Sequence, residues 1–153
     1  MSNLFPRHVD SPDAAIHHLW GWCDVLGAEL TGGRALVRPE TGGMSIRGVR
    51  FAFHGHSTAL SIDLNLDGDL VALRYRFDYR VGDRFLWRAD KHPGHEAELV
   101  GMCHLHIGPS EHTRVASPNL DLGAIAERII TTNRGLDKST TRAQGRRLIP
   151  PPK

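Results

Sequence analysis

Apolar residues recur along this chain with two different periods. Between Pro12 and Leu26 they fall at Ile16, Leu19, Trp20, Cys23 and Leu26, steps of three and four that put one apolar stripe on a helix. Ser11-Pro12-Asp13 ahead of them is helix-start chemistry: a hydroxyl to cap, a proline where no amide donor is needed, and a carboxylate in the first turn. The helix is predicted to end near Gly27, or before Gly32-Gly33. Trp20 and Trp22 read as packing residues, with only Trp22 off the stripe.

Beyond Gly33 the period drops to two. Short β-type runs follow at Arg34 to Arg38, Met44 to His54, Thr58 to Leu66, Leu70 to Val81, Arg84 to Asp90 and Met102 to Ile107. Leu60, Ile62, Leu64 and Leu66 alternate with Ser61, Asp63 and Asn65, as a half-buried strand requires. Asp67-Gly68-Asp69 is turn chemistry, so the next strand returns antiparallel. Ser117-Pro118-Asn119 is predicted to open a second helix through Leu120, Leu122, Ile125, Ile129 and Ile130, ending near Asn133. The fold class is α+β: an N-terminal helix, an antiparallel β-meander of about five to six strands, and a C-terminal helix packed on the sheet. Residues 1–133 form the single domain expected, and residues 134–153 a basic flexible tail.

Matching the faces of two strands sets their register. Val71, Leu73, Tyr75, Phe77, Tyr79 and Val81 share one face, and Arg74, Arg76, Asp78 and Arg80 the other. A two-residue loop at Gly82-Asp83 would oppose Phe77 to Arg88 and Tyr75 to Asp90. A three-residue loop, Val81-Gly82-Asp83, instead sets Phe77 beside Trp87 and Tyr79 beside Phe85. It also sets Arg76 beside Arg88 and Arg74 beside Asp90, and is the register expected.

A length of 153 residues fits one core. The net charge of +2 conceals an asymmetry: Arg134, Lys138, Arg142, Arg146, Arg147 and Lys153 face only Asp137, so the tail carries +5 and the rest −3. A basic arm on a mildly acidic body is compatible with nucleic-acid contact. Cys23 and Cys103 make neither a metal pair nor a disulfide framework, and no stretch has the apolar length of a membrane span. A cytoplasmic protein with no membrane association is expected.

The chemistry gathers between Arg88 and His106. His104-x-His106 on a strand projects two imidazoles from one face, roughly 7 Å apart at the backbone. Such a pair can hold a metal or flank a phosphodiester as general base and acid, since imidazole titrates nearest neutrality. Arg88, with Arg76, can stabilise charge building on a phosphate, and Asp90 can orient a histidine or hold Arg88. His104, His106 and Glu111 have the spacing of a metal site, with Asp90 or His95 as further ligands. His8, His17, His18 and His112 are assigned no role.

Y-R-F-D-Y (Tyr75 to Tyr79), F-L-W-R-A-D (Phe85 to Asp90), H-P-G-H (His92 to His95) and C-H-L-H-I (Cys103 to Ile107) come in an order and spacing that resembles TumE-type toxins, small prokaryotic toxin–antitoxin proteins. The resemblance covers about residues 58–133. This chain differs in having H-P-G-H where members often show adjacent histidines, a longer N-terminal part and a basic tail. The resemblance places Arg88, Asp90, His95, His104 and His106 at the family's polar positions and implies an antitoxin partner, of helix-turn-helix type. The leading expectation is an RNA-directed toxin, a metal-independent ribonuclease needing no cofactor. Arg74, Arg76, His92, Arg142, Arg146 and Arg147 would contact RNA. A non-catalytic binding module and a metal enzyme built on His104, His106 and Glu111 are the alternatives, and homodimerisation stays open.

Overall fold

The computed structural model of the chain describes residues 3–53, 56–94, 101–108 and 110–147, the side chains of Phe53, His56 and residues 137–147 excepted. Helix α1 (Pro12–Val25) starts where its cap dictates, with Ser11 Oγ accepting from the Ala14 amide at 3.1 Å. Its stripe of Ala15, Ile16, Leu19 and Cys23 is buried. Seven strands follow in a meander whose spatial order is the chain order: β1 (Arg34–Arg38), β2 (Gly43–Phe53), β3 (His56–Leu66), β4 (Ala72–Val81), β5 (Arg84–Lys91), β6 (Cys103–Ile107) and β7 (Arg114–Ala116). Every pairing is antiparallel. Helix α2 (Leu122–Arg147) closes the α+β fold.

Both helices lie on the apolar face of the sheet. Trp22 of α1 meets Phe77 edge-on, with centroids 6.3 Å apart, so it packs as expected despite lying off the stripe. From α2, Thr132 Oγ1 accepts from Trp87 Nε1 at 3.1 Å and Asn133 Oδ1 accepts from the Tyr79 hydroxyl at 2.5 Å. Tyr79 also meets Thr58 Oγ1 at 2.6 Å, so the polar atoms under the helix are partnered. Ile125 and Ile129 are fully buried there and contribute about 1.5–3 kcal/mol each.

Four expectations are corrected. The β4–β5 turn is the two-residue Gly82-Asp83, with Gly82 at φ 56°, and the ladder shifts by one between Tyr79 and Arg80. Leu86 is the extra residue, and this bulge restores apolar matching past the tight turn. Tyr79 therefore lies beside Trp87, Phe77 beside Ala89, Asp78 beside Arg88, and Arg76, not Arg74, beside Asp90. The second helix starts at Leu122, where Asp121 Oδ1 caps the Ala124 amide at 2.8 Å, so Ser117 and Asn119 do not open it. It also runs past Asn133 to Arg147: apolar spacing ends at Ile130, but no proline interrupts the chain until Pro150. Finally, β7 is a strand that no pattern announced.

The sheet is re-aimed once more in β2, by a bulge between Ile46 and Val49. Gly48 occupies it at φ 76°, and a Cβ there would come within 2.4 Å of the Gly32 carbonyl, so only glycine fits. Among the described residues no helix is long and apolar enough to cross a membrane.

Candidate functional site

Antiparallel pairing turns the polar half of each strand's alternation into rows that cross the outer face of the sheet. One row runs Leu36, Ser45, Asp63, Arg76, Asp90, His104 and Ala116, through all seven strands. The adjacent row runs Ser61, Asp78, Arg88, His106 and Arg114. Arg88 and Asp90 are thus neighbours of His106 and His104 because R-x-D on β5 meets H-x-H on β6 in register.

Asp90 is the centre of the cluster. Its Oδ1 accepts from Arg76 Nε at 3.0 Å and its Oδ2 from Arg88 Nε at 2.9 Å. His106 Nε2 stands 3.0 Å from the same Oδ2, and His104 Nε2 3.8 Å from it. Asp90, His104 and His106 retain 4%, 3% and 6% of their surface, so water does little to screen them. Burial pushes the Asp90 carboxyl up, but the charge and hydrogen bonds of Arg76 and Arg88 outweigh it and hold it below the usual carboxylate range.

The histidines move downward too. Burial disfavours the charged ring of His104, against the pull of the Gly101 carbonyl and Asp90. The same burial, helped by Arg88, lowers His106 against the Glu111 carbonyl and Asp90. His106 Nδ1 lies 2.5 Å from the Glu111 backbone oxygen. A carbonyl only accepts, so Nδ1 carries the hydrogen. In the neutral ring Nε2 is then a lone pair facing Arg88 Nη2 at 3.2 Å and Asp90 Oδ2 at 3.0 Å. Unprotonated it accepts from Arg88; protonated it donates to Asp90.

A second chain of contacts holds this arrangement. Arg80 grips Asp78 through Nε and Nη2 at 2.7 and 3.2 Å and reaches Glu111 Oε2 at 2.9 Å. Glu111 is therefore tied down by its side chain while its carbonyl sets the His106 tautomer. Neither Arg80 nor Asp78 was singled out from the sequence, although both sit on the polar alternation of β4; what was invisible was the loop that Arg80 reaches.

Beside Asp90 the outer face sinks into a cavity of about 460 Å³. Arg74, Arg76 and His92, expected to contact RNA, all line it, together with Arg38, Arg47, Thr41, Ser45, Asp63, Asn65 and Lys91. Asp63 is held by Arg47 at 2.8 and 3.0 Å, and Asp90 by its two arginines. The carboxylates are thus neutralised from within, leaving a cation-rich basin. His95 lies outside the described residues, and so do the side chains of Arg142, Arg146 and Arg147, whose backbone belongs to α2.

Asp90, His104 and His106 place donor atoms within 4.8 Å of one another, a set with the composition of a metal site. Glu111 is not part of it, its carboxylate being turned to Arg80. The guanidiniums on both Asp90 oxygens oppose a cation. They take a lone pair on each oxygen, and each adds a repulsion of about 4 kcal/mol per unit of ionic charge at 4 Å for an effective dielectric near 20. The donor set is better suited to organising guanidiniums than to ligating an ion.

The fold and site thus define an α+β protein with a buried Asp/His/Arg network beside a cationic basin. No family model, curated protein or solved structure matches the chain. The TumE-type resemblance rests on its quoted motifs alone.

Proposed function

We propose that this protein is an RNA-directed, TumE-like ribonuclease of the cytoplasm that cleaves without a metal ion. The observation that carries the reading is the convergence of Arg88, Asp90, His104 and His106 beside a cavity lined by Arg74, Arg76 and His92. A cationic basin attracts phosphodiesters, and an imidazole pair with a guanidinium is what 2′-hydroxyl cleavage needs. In that reaction the 2′-oxygen bonds to phosphorus as its proton leaves to one imidazole. The bond to the 5′-oxygen breaks as another imidazole protonates it.

The two faces of His106 Nε2 give the step a logic. As the ring takes a proton it turns from Arg88 to Asp90, and Arg88 Nη2 becomes available to the phosphate while negative charge builds there. Burial keeps both rings towards the neutral form, which suits a base; Asp90 supports the proton that the acid must hold. Arg142, Arg146 and Arg147 extend phosphate contact, and a neutralising antitoxin is the second partner, on the strength of the motif resemblance.

A second reading, a non-catalytic RNA- or protein-binding module, is favoured by the burial of His104 and His106 at 3% and 6% exposure. On it the network stiffens the sheet and the basin alone makes contact. The discriminating experiment is incubation of single-stranded RNA with the protein in excess chelator, with a 2′-deoxy substitution at the cut site as control. Cleavage that survives chelation and stops at the deoxy linkage supports the ribonuclease. Loss in chelator, or cutting of the deoxy substrate, removes the mechanism, while a wild type that binds RNA without cutting it, and whose binding survives His106→Ala, favours the binding module.

A further inference from the structure

The row on the other side of Arg76 and Asp90 has a different character. Arg38, Gly43, Asn65 and Arg74 stand side by side on β1, β2, β3 and β4. Arg38 and Arg74 are exposed, and among the described residues neither makes an ion pair, unlike Arg47, Arg76, Arg80 and Arg88. Three strand spacings of about 4.8 Å separate their backbones, roughly 14 Å. The cavity opens between them and reaches Asp90 at one side.

Gly43, which has no side chain, lines the basin between Arg38 and Asn65. A Cβ on Gly43 would approach Thr41 Oγ1 at 3.2 Å, another cavity-lining group, and meet nothing else closer than 3.9 Å. The strand conformation there tolerates a side chain, so a side chain would cost the cavity its depth and not the sheet its fold. Ser45 and Asn65 stand beside this gap and offer neutral hydrogen-bonding groups. Asn65 Nδ2 donates to the Thr41 carbonyl at 3.0 Å, which orients its amide.

We infer that this basin seats one nucleotide of a single-stranded RNA, with its two flanking phosphates on Arg38 and Arg74, next to the linkage presented to the Asp90 network. The inference rests on the RNA-directed reading and adds the form of RNA and the place where it sits. A cavity of about 460 Å³ is within the size range that encloses a small-molecule-sized group. Two guanidiniums at its rim, without an ion pair among the described residues, supply the charge for phosphates, and neutral polar groups between them suit a nucleoside. A duplex cannot use such a seat, because its bases are stacked inside and only a splayed nucleotide can enter a concavity.

The test uses the full chain and a 2′-O-methyl oligoribonucleotide, which cannot undergo 2′-hydroxyl cleavage, as a single strand and as a duplex. Affinity is followed by fluorescence anisotropy against salt. The single strand is expected to bind at least about tenfold tighter than the duplex, because only its splayed nucleotide can hydrogen-bond in the seat, at roughly two- to tenfold per bond. R38Q/R74Q should make the log–log salt slope less steep by about 1.4, at about 0.7 per lost phosphate contact. Gly43→Val, which changes no charge and suits a strand, should weaken single-strand binding about tenfold with the slope kept. Circular dichroism confirms that both variants fold. Duplex bound as tightly as single strand, or either variant binding as wild type does, overturns the inference while leaving the RNA-directed reading in place. Failure of the wild type to bind either RNA overturns that reading, and this inference with it.

Discussion

Asp90→Asn keeps the shape of the side chain and removes the charge on which the network converges. The carboxylate accepts from two Nε groups within 3.0 Å and faces His106 at 3.0 Å, with its side chain 6% exposed. An amide has one acceptor oxygen, so its NH₂ must point at the Nε of Arg76 or of Arg88. Arg76 is 48% exposed and can turn to water, so its loss costs up to about 1 kcal/mol. Whichever way the amide turns, the Arg88 guanidinium, only 17% exposed, loses its counter-charge, and leaving a buried charge uncompensated costs about 3–5 kcal/mol, of which its partial exposure favours the lower end. A loss of about 3–4 kcal/mol follows, or roughly 6–16 °C in Tm for a domain of this length. Urea denaturation at pH 7, read by the tryptophans, measures it. Arg76→Gln measured alongside should lose less than about 1 kcal/mol. A cost below about 1 kcal/mol for Asp90→Asn, or equal costs for the two variants, would refute the claim that Asp90 and Arg88 form the buried core of the network.

Further outcomes follow from the same contacts. His104 and His106 have lowered values in the fold, so the unfolded chain binds more protons between the folded values and about 6.5. Their contribution is fully present above about pH 6.5 and is lost as pH falls through the folded values. Each steepens the stability profile by at most about 1.4 kcal/mol per pH unit, and H104Q/H106Q should flatten it in urea titrations at stepped pH. Asp90, also lowered, adds a later loss as pH falls below about 3.9. Arg80→Gln frees the Glu111 side chain and should erode the Nδ1–H form of His106, seen as a shift in its ring ¹⁵N signals, while Glu111→Gln, which keeps a hydrogen-bond acceptor, should largely preserve it; unchanged signals in Arg80→Gln would dismiss the clamp. Gly48→Ala should cost more than about 2 kcal/mol, from a strained φ of 76° and a contact at 2.4 Å to backbone, measured by thermal denaturation.

Alternation of apolar and polar residues carried most of the fold, because a half-buried strand must keep period two. It also carried the gathering of Arg88, Asp90, His104 and His106, since R-x-D and H-x-H each commit two polar groups to one face. Register was less legible. Beyond the bulge at Leu86 every β4–β5 partner lies two residues from the expected one, a shift that keeps each face and its apolar matching, so face-matching cannot tell the real ladder from the expected one. Arg74 and Arg76 were exchanged for this reason. Three residues of β7 are too few to show a period, and Leu4, Phe5 and Val9 are buried without any spacing that announces it. Arg80 was readable as polar but not as a clamp, because its partner Glu111 lies in a loop whose path the pattern does not constrain. The basin was out of reach altogether: it exists only once four strands set Arg38, Gly43, Asn65 and Arg74 in one row.

The chemistry of the RNA ends tests the central claim most directly. Attack by the 2′-oxygen leaves a 2′,3′-cyclic phosphate, or the phosphate from its hydrolysis, on one fragment and a 5′-hydroxyl on the other. Mass spectrometry of RNA cut by the protein in chelator should find those ends, and His106→Ala should abolish them. Fragments bearing a 3′-hydroxyl and a 5′-phosphate, or RNA left intact by the wild-type protein, would contradict the account.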